Sequence, residues 1–375
     1  MSIEVFRIEH GQSVKKFIDF PHTLYKNDPY YVPEIYLSVS EILNRKKNPF
    51  FDHSEAEYFL AYRDHKLVGR IASIHNKNYN EYHQSNVGFF GFFDFIDDYE
   101  VSGALLKVVE KWCKEKGLSS ILGPANLTTN DTAGILVEGF NEPPVVQMTY
   151  NKPYYPKHLE KWGFEKEMDL NAYWIPSWEA SEKSIRLSNL IKERLQKRGI
   201  TFRSIQMKHF KNEIRKVKEI YRKAWEKNWG FVPPTDKEFD HLAEGLKMIL
   251  DDRYVYIAEE NDQMIAFGVA LPNINEITIK IKNGRLFPFG IFRLILGKRK
   301  VKKVRVVLLG VLEEYRKMGI EAVFFSQFIQ AARENDLVGG EASWILENND
   351  MMVKAAENLN GKKYKVYRIY KKPLY

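Results

Sequence analysis

The stretch VLEEYRKMGIEA, at 311–322, joins an apolar run to a pattern with helical spacing through a turn that carries Arg316, Lys317 and Gly319. A helix amino terminus leaves backbone N–H groups without partners inside the helix and gathers partial positive charge. A glycine that brings the backbone close and an arginine that adds a full charge would let such a turn hold phosphates. Glu321 lies in the same first turn, where an acidic residue is itself favourable, so a plain helix start is the competing reading. A second group sits around the run EASWIL, with Glu341 as its first residue and Glu347, Asn348 and Asn349 after it. A carboxylate there can accept a proton from an amine, directly or through water. A third is the polar loop NLTTNDTAG, in which Asn126, Thr128, Asn130 and Asp131 either cap their own backbone or line a cleft between two halves and orient an acceptor. Tyr150 and Asn151 follow it in the chain.

Other chemistries find less support. Cys113 is the one cysteine, and its place in the helical pattern VVEKWCKEKG reads as a packed thiol. The nine histidines show no HxH or HExxH spacing, so no metal site is expected. Asp52, His53 and Ser54 are adjacent in sequence, whereas the members of a hydrolytic triad come from separate segments. There is no Walker loop and no dinucleotide fingerprint.

The elements that must position these residues are legible from periodicity. A strand at 5–8 precedes helical segments and the runs EYFLAYRD and KLVGRIASIH, which form a hairpin around Asp64 and His65. A strand at 87–95 leads to a helix with Val101, Ala104, Leu105, Val108 and Trp112 on one face, then a short strand at 120–122. The helix YYPKHLEKW and a strand ending at Trp174 close the half. After the Pro-containing stretch 175–184 the same order returns: a helix and a strand, helices near 208–229 and 235–250, and a hairpin turning at Asn261 and Asp262. VRVVLLGVL, a helix, EASWIL, MMVKAAENL and YKVYRIYKK complete the set. This is a repeat of element order without a repeat of sequence, and it implies an α/β (α+β) fold made twice, each copy a mixed sheet flanked by helices on both faces.

A chain of 375 residues with 44% hydrophobic and 28% charged residues has room for two cores and no sign of long disorder. It shows no leader-like segment and no apolar run long enough for a membrane span, so a cytoplasmic protein is expected, with peripheral contact to the inner membrane surface left open. The net charge of +8 is unevenly spread: between 277 and 312 there is no acidic residue, and Lys280, Lys282, Arg285, Arg293, Lys298 and further basic residues fall there. Within 285–303 they interleave with Phe287, Phe289, Ile291, Phe292, Leu294, Ile295 and Leu296. Such a segment either lies on an anionic membrane or greasy ligand, or is a core helix with a solvated basic tail.

The strand followed by Tyr315, Arg316, Lys317, Met318, Gly319, Ile320, Glu321 and Ala322 resembles the pyrophosphate loop of the GNAT acyltransferases, whose pattern is Gln or Arg, two residues, Gly, one residue, then Gly or Ala. Glu321 departs from the last position. The segment NKPYYPKHLEKWGF is similar to the family's closing segment, so the chain is identified as a tandem two-domain bacterial member of the superfamily. The resemblance implies a degenerate domain at 1–175, a linker at 176–184 and a coenzyme-binding domain at 185–375. It implies acyl-coenzyme A as co-substrate, held by Val311 and Leu312 at the strand end and by Arg316, Lys317, Met318, Gly319 and Ala322 around the turn. It further implies direct attack by an amine on the thioester, with Glu347, Asn348, Asn349 and Tyr150 as candidate catalytic groups and Asn126, Thr128, Asn130 and Asp131 at the acceptor. The family's usual acid, a tyrosine, would fall at Ala356. The equivalent turn of the first half, FIDDYEVSGALL, is acidic and is not expected to bind coenzyme. Tandem members that acylate long-chain sphingoid bases make a lipid-like amine the acceptor implied, with a small-molecule amine the alternative. A non-catalytic acyl-coenzyme or lipid binder is the second reading. An RNA-binding protein using the basic segment is the third and least favoured, and the oligomeric state is left open.

Overall fold

The computed structural model describes residues 2–375, which divide into two compact units. The first holds the chain up to Leu170 together with Ile277–Leu294 and Lys365–Tyr375; the second holds Asn171–Glu276 and Ile295–Tyr364. The units are therefore not the two halves of the chain, because an internal segment and the last strand of the second half are built into the first unit.

The strands in chain order are β1 (Ile3–Arg7), β2 (Glu55–Arg63), β3 (Lys66–His75), β4 (Val87–Phe95), β5 (Ser120–Gly123), β6 (Ile135–Glu138) and β7 (Glu165–Pro176). They continue with β8 (Ile200–Ser204), β9 (Val255–Glu260), β10 (Gln263–Pro272), β11 (Lys303–Val311), β12 (Gly339–Leu346) and β13 (Lys362–Pro373). In the first unit β1, β2, β3 and β4 pair antiparallel in sequence order, and β4 then pairs with β5 in parallel. In the second unit β8, β9, β10 and β11 repeat that arrangement and β11 pairs with β12 in parallel. The residues of β13 that belong to the first unit pair antiparallel with β5 and β6, which covers an edge that β5 would otherwise expose.

Local chemistry explains the elements. Both hairpins turn on two left-handed residues, Asp64 (φ 48) and His65 (φ 61) in one and Asn261 (φ 49) and Asp262 (φ 62) in the other, the backbone that matches strand twist. The helix Tyr99–Glu115 starts at Asp98, whose side chain accepts from the Glu100 N–H, and buries Val101, Leu105, Val109 and Trp112 on the sheet. Its Cys113 lies under Gly88, where a Cβ would stand 2.4 Å from the sulfur, and burial pushes the thiol up to about 12. The second unit repeats this packing with the helix Ile320–Glu334, which buries Ile320, Val323, Phe324 and Phe328. The helix Asp236–Lys247 carries a reciprocal cap between Thr235 and Glu238. No helix among the described residues is long and apolar enough to cross a membrane.

Candidate functional site

In the second unit β11 and β12 pair only from Lys303 with Gly339 to Val306 with Ala342. Beyond those pairs the two strands run on without each other, to Val311 and Leu346. A cleft of about 460 Å³ opens there, with Leu309, Val311 and Leu346 in its wall. Trp225 and Trp229, which follow the helix Phe210–Ala224, line another side, and Asn348, Asn349, Met351 and Met352 a third. Gly310 makes room for this wall: a Cβ there would sit 2.6 Å from the Trp225 ring.

The cleft also reaches Arg316 and Glu321, at the amino terminus of the helix Ile320–Glu334. Gly319 is the N-cap, at φ +87 and without a side-chain cap, so it leaves the first helical N–H groups to other partners. The glycine is needed for that left-handed conformation and for packing, since its Cβ would meet Ile191 at 3.1 Å. The Arg316 guanidinium donates to the Ala224 carbonyl at 2.9 Å and to the Val311 carbonyl at 3.4 Å, which ties the turn to the Trp225 segment and to β11. Burial raises the Glu321 carboxyl above its ordinary range, against the opposing pull of its own backbone N–H and of Arg316. Glu321 thus places a carboxyl at the helix terminus, in the lining of the cleft.

The expected contacts separate in space. Val311, Arg316, Asn348 and Asn349 share the cleft wall. Leu312 and Met318 pack against the hydrophobic core, Lys317 is exposed at φ 66, and Gly319 and Ala322 stand at the helix start outside the lining. Asn349 caps the helix Asp350–Glu357 by accepting from the Met352 N–H, and Glu347 is exposed. Ala356 is fully buried, and among the described residues no tyrosine lines the cleft. Sequence reasoning missed Trp225 and Trp229; two tryptophans four residues apart just past an amphipathic helix were the available signal.

The first unit treats the corresponding places differently. Here β4 and β5 also pair only briefly, from Val87 with Ser120 to Phe89 with Leu122. The chain after β5 then fills the gap: the Ala125 N–H donates to the Phe90 carbonyl at 2.8 Å and the Phe92 N–H to Asn126 Oδ1 at 2.8 Å. A Cβ on Gly91 would lie 2.2 Å from the Ala125 carbonyl oxygen. At the helix start Asp98 and Glu100 are held by Arg63, at 2.5 and 2.7 Å. Asn126 also donates to Thr132, and Thr128 accepts from the Asn130 N–H and lies 3.4 Å from Asp131, so this loop caps itself. Tyr150 belongs to the same unit and donates to Asp28, the partner of Lys152. A further constellation was invisible in the sequence: Ser102 Oγ lies 2.8 Å from His158 Nδ1, and His158 Nε2 lies 3.1 Å from Asp97. It is structural, because Ser102 is fully buried and its hydroxyl donates to the Tyr99 carbonyl.

No family model matches the chain. It is 36% identical over 369 residues to Protein YghO of Escherichia coli strain K12, covering 96% of this chain and 93% of that protein. It is 32% identical over 382 residues to Bacterial ceramide synthase of Caulobacter vibrioides, covering 99% and 98%. Among solved structures it is similar to a tandem GNAT protein from the clavulanic acid biosynthesis pathway, determined without AcCoA, with a TM-score of 0.59, 9% identity and coverage of 100% of this chain and 99% of that one. It is also similar to a GCN5-related N-acetyltransferase from Anabaena variabilis, with a TM-score of 0.52, 11% identity and coverage of 100% and 73%. At these identities the two structures share the fold.

Proposed function

This chain belongs to one family with the E. coli and Caulobacter proteins and has the fold of a tandem GNAT protein, and from that premise we propose an acyl-coenzyme A-dependent N-acyltransferase of the GNAT type whose donor site is the second unit's cleft. The observation that carries the proposal is the open gap between β11 and β12, which ends on a helix amino terminus. The residues fit such a donor in most respects. The first-turn N–H groups and Arg316 suit a pyrophosphate, the apolar strand ends suit pantetheine, and Glu321 opposes the charge.

In the proposed reaction the acceptor amine attacks the thioester carbonyl. A C–N bond forms, the C–S bond breaks, the amine gives up a proton and the departing sulfur takes one. Positioning contributes most to such a direct attack. Asn348 and Asn349 present amides for it, and Glu347, directly before them in the chain, is the proposed base. The buried Ala356 supplies no acid, so the thiolate takes its proton from water. The ceramide synthase relative and the apolar lining, with Trp225, Trp229, Met351 and Met352, support a long acyl chain and a long-chain amine as acceptor.

The test is product formation from palmitoyl-coenzyme A with a long-chain base and, separately, with a short amine. Product with the long-chain base alone is expected, with turnover falling at least about tenfold in Glu347→Gln. Ala356 and Glu321 favour a second reading, a binder without turnover, and tight donor binding with no product would establish it.

A further inference from the structure

A core helix turns its phenylalanines and leucines inward, and the segment around 286–297 turns them out. Phe287, Phe289, Phe292, Ile295 and Leu296 are 69%, 74%, 63%, 64% and 71% exposed, while Gly290 is buried and Ile291 and Leu294 are half-buried. Positions 289, 292, 295 and 296 follow i, i+3, i+6 and i+7, so they form one stripe along the helix Gly290–Gly297 and the residue before it. Single exposed apolar side chains are ordinary, but five such large groups within ten consecutive residues mark an interaction surface.

The charges around the stripe indicate what covers it. The helix lies in the stretch of 277–312 that has no acidic residue. Some of its cations are committed: Arg285 pairs with Asp19 at 3.0 Å and stacks on Tyr36, and Lys298 folds back onto the Leu250 carbonyl. Others are not. Lys282 before the stripe and Arg299 and Lys300 after it are exposed and form no ion pair among the described residues. Exposed aromatic and aliphatic groups bracketed by unpaired cations suit the boundary between anionic headgroups and acyl chains. A second copy of the chain suits it less, because like-charged segments would meet face to face.

We propose that the segment 286–297 docks on an anionic lipid bilayer, its helix in the plane of the headgroups, the apolar stripe inserted and Lys282, Arg299 and Lys300 on lipid phosphates. The proposal stands apart from acyl transfer, and it is tested with no acyl donor present, so its failure leaves the acyltransferase reading untouched.

The experiment is co-sedimentation of the full chain with vesicles of phosphatidylcholine alone and of phosphatidylcholine with one third phosphatidylglycerol. Three proteins are compared: the unaltered chain, a Phe289→Ser, Phe292→Ser, Leu296→Ser variant, and an Arg299→Glu, Lys300→Glu variant. All substituted groups are exposed, and unchanged thermal midpoints check the folds. The expected result is binding to the anionic vesicles at least about tenfold tighter than to the neutral ones, weakened by salt and lost by about tenfold or more in each variant. No partition into either vesicle, or partition that the serine variant leaves unchanged, overturns the proposal. So does a concentration-dependent dimer that the serine variant disrupts without any vesicle binding, which would assign the stripe to a second copy.

Discussion

The two units share one strand order and differ where a parallel pair of strands parts. In the second unit the gap beyond Val306 and Ala342 is an open cleft ending on a helix start with Arg316 beside it. In the first, the gap beyond Phe89 and Leu122 is filled by Ala125 and Asn126, and the helix start is occupied by Asp98, Glu100 and Arg63. The same scaffold is therefore able to present a site or to spend the same groups on holding itself together, and a few residues after the fifth strand decide which. A buried backbone amide needs a partner in either case. The first unit supplies its own at Phe92, from the Asn126 side chain.

The comparison can be broken in order of expected effect. Leu309→Glu puts a carboxylate on the second unit's cleft wall and should weaken palmitoyl-coenzyme A binding about a hundredfold, or about 2.8 kcal/mol, in a calorimetric titration. Gly91→Ala, on the filled side, should leave that affinity alone and lower unfolding stability by about 1–3 kcal/mol in denaturant melts, because the new methyl meets the Ala125 carbonyl.

Asp98→Ala should cost about 1 kcal/mol through the lost helix cap, again without touching donor binding. Burial pushes the Asp98 carboxyl up, but the hydrogen bonds from Arg63 and the Glu100 N–H pull it net below the usual carboxylate range. Its contribution is thus fully present above the unfolded value of about 4 and disappears as pH falls through the lower folded value. Melts below about pH 4 should therefore converge for the variant and the unaltered chain.

The smallest effect is expected at Glu321. Its carboxyl is raised, so the folded protein loses stability from this group as pH rises from the ordinary carboxylate value through the raised one. Donor affinity should weaken over the same interval as the charge appears beside the phosphates. Glu321→Ala should tighten binding about threefold at neutral pH and flatten that dependence, whereas an unchanged pH profile would separate Glu321 from the phosphate position.

Much of this architecture was legible because it is local. Asp64–His65 and Asn261–Asp262 announce their hairpins, and the spacing of Val101, Leu105 and Trp112 announces a helix face. Gly319 was marked as special, although for an incomplete reason: its left-handed backbone and the contact with Ile191 require it whatever binds nearby. What escaped notice depends on contacts distant in sequence. Nothing in YKVYRIYKK says that it will close the first unit against β5 and β6. Nothing in GPANLTTN says that Ala125 will fill a gap beside Phe90, and no period links Trp225 to Gly310. Periodicity also gives a stripe without saying which way it faces. For Phe289, Phe292 and Leu296 only the fold shows that it faces outward.

The central claim, one open donor site and one filled counterpart, is tested most directly by the stoichiometry of palmitoyl-coenzyme A binding to the full chain by calorimetry, repeated on Leu309→Glu. One equivalent per chain, lost in the variant while its melting curve is unchanged, is the expected result. Two equivalents per chain, or one that survives Leu309→Glu, would contradict the account.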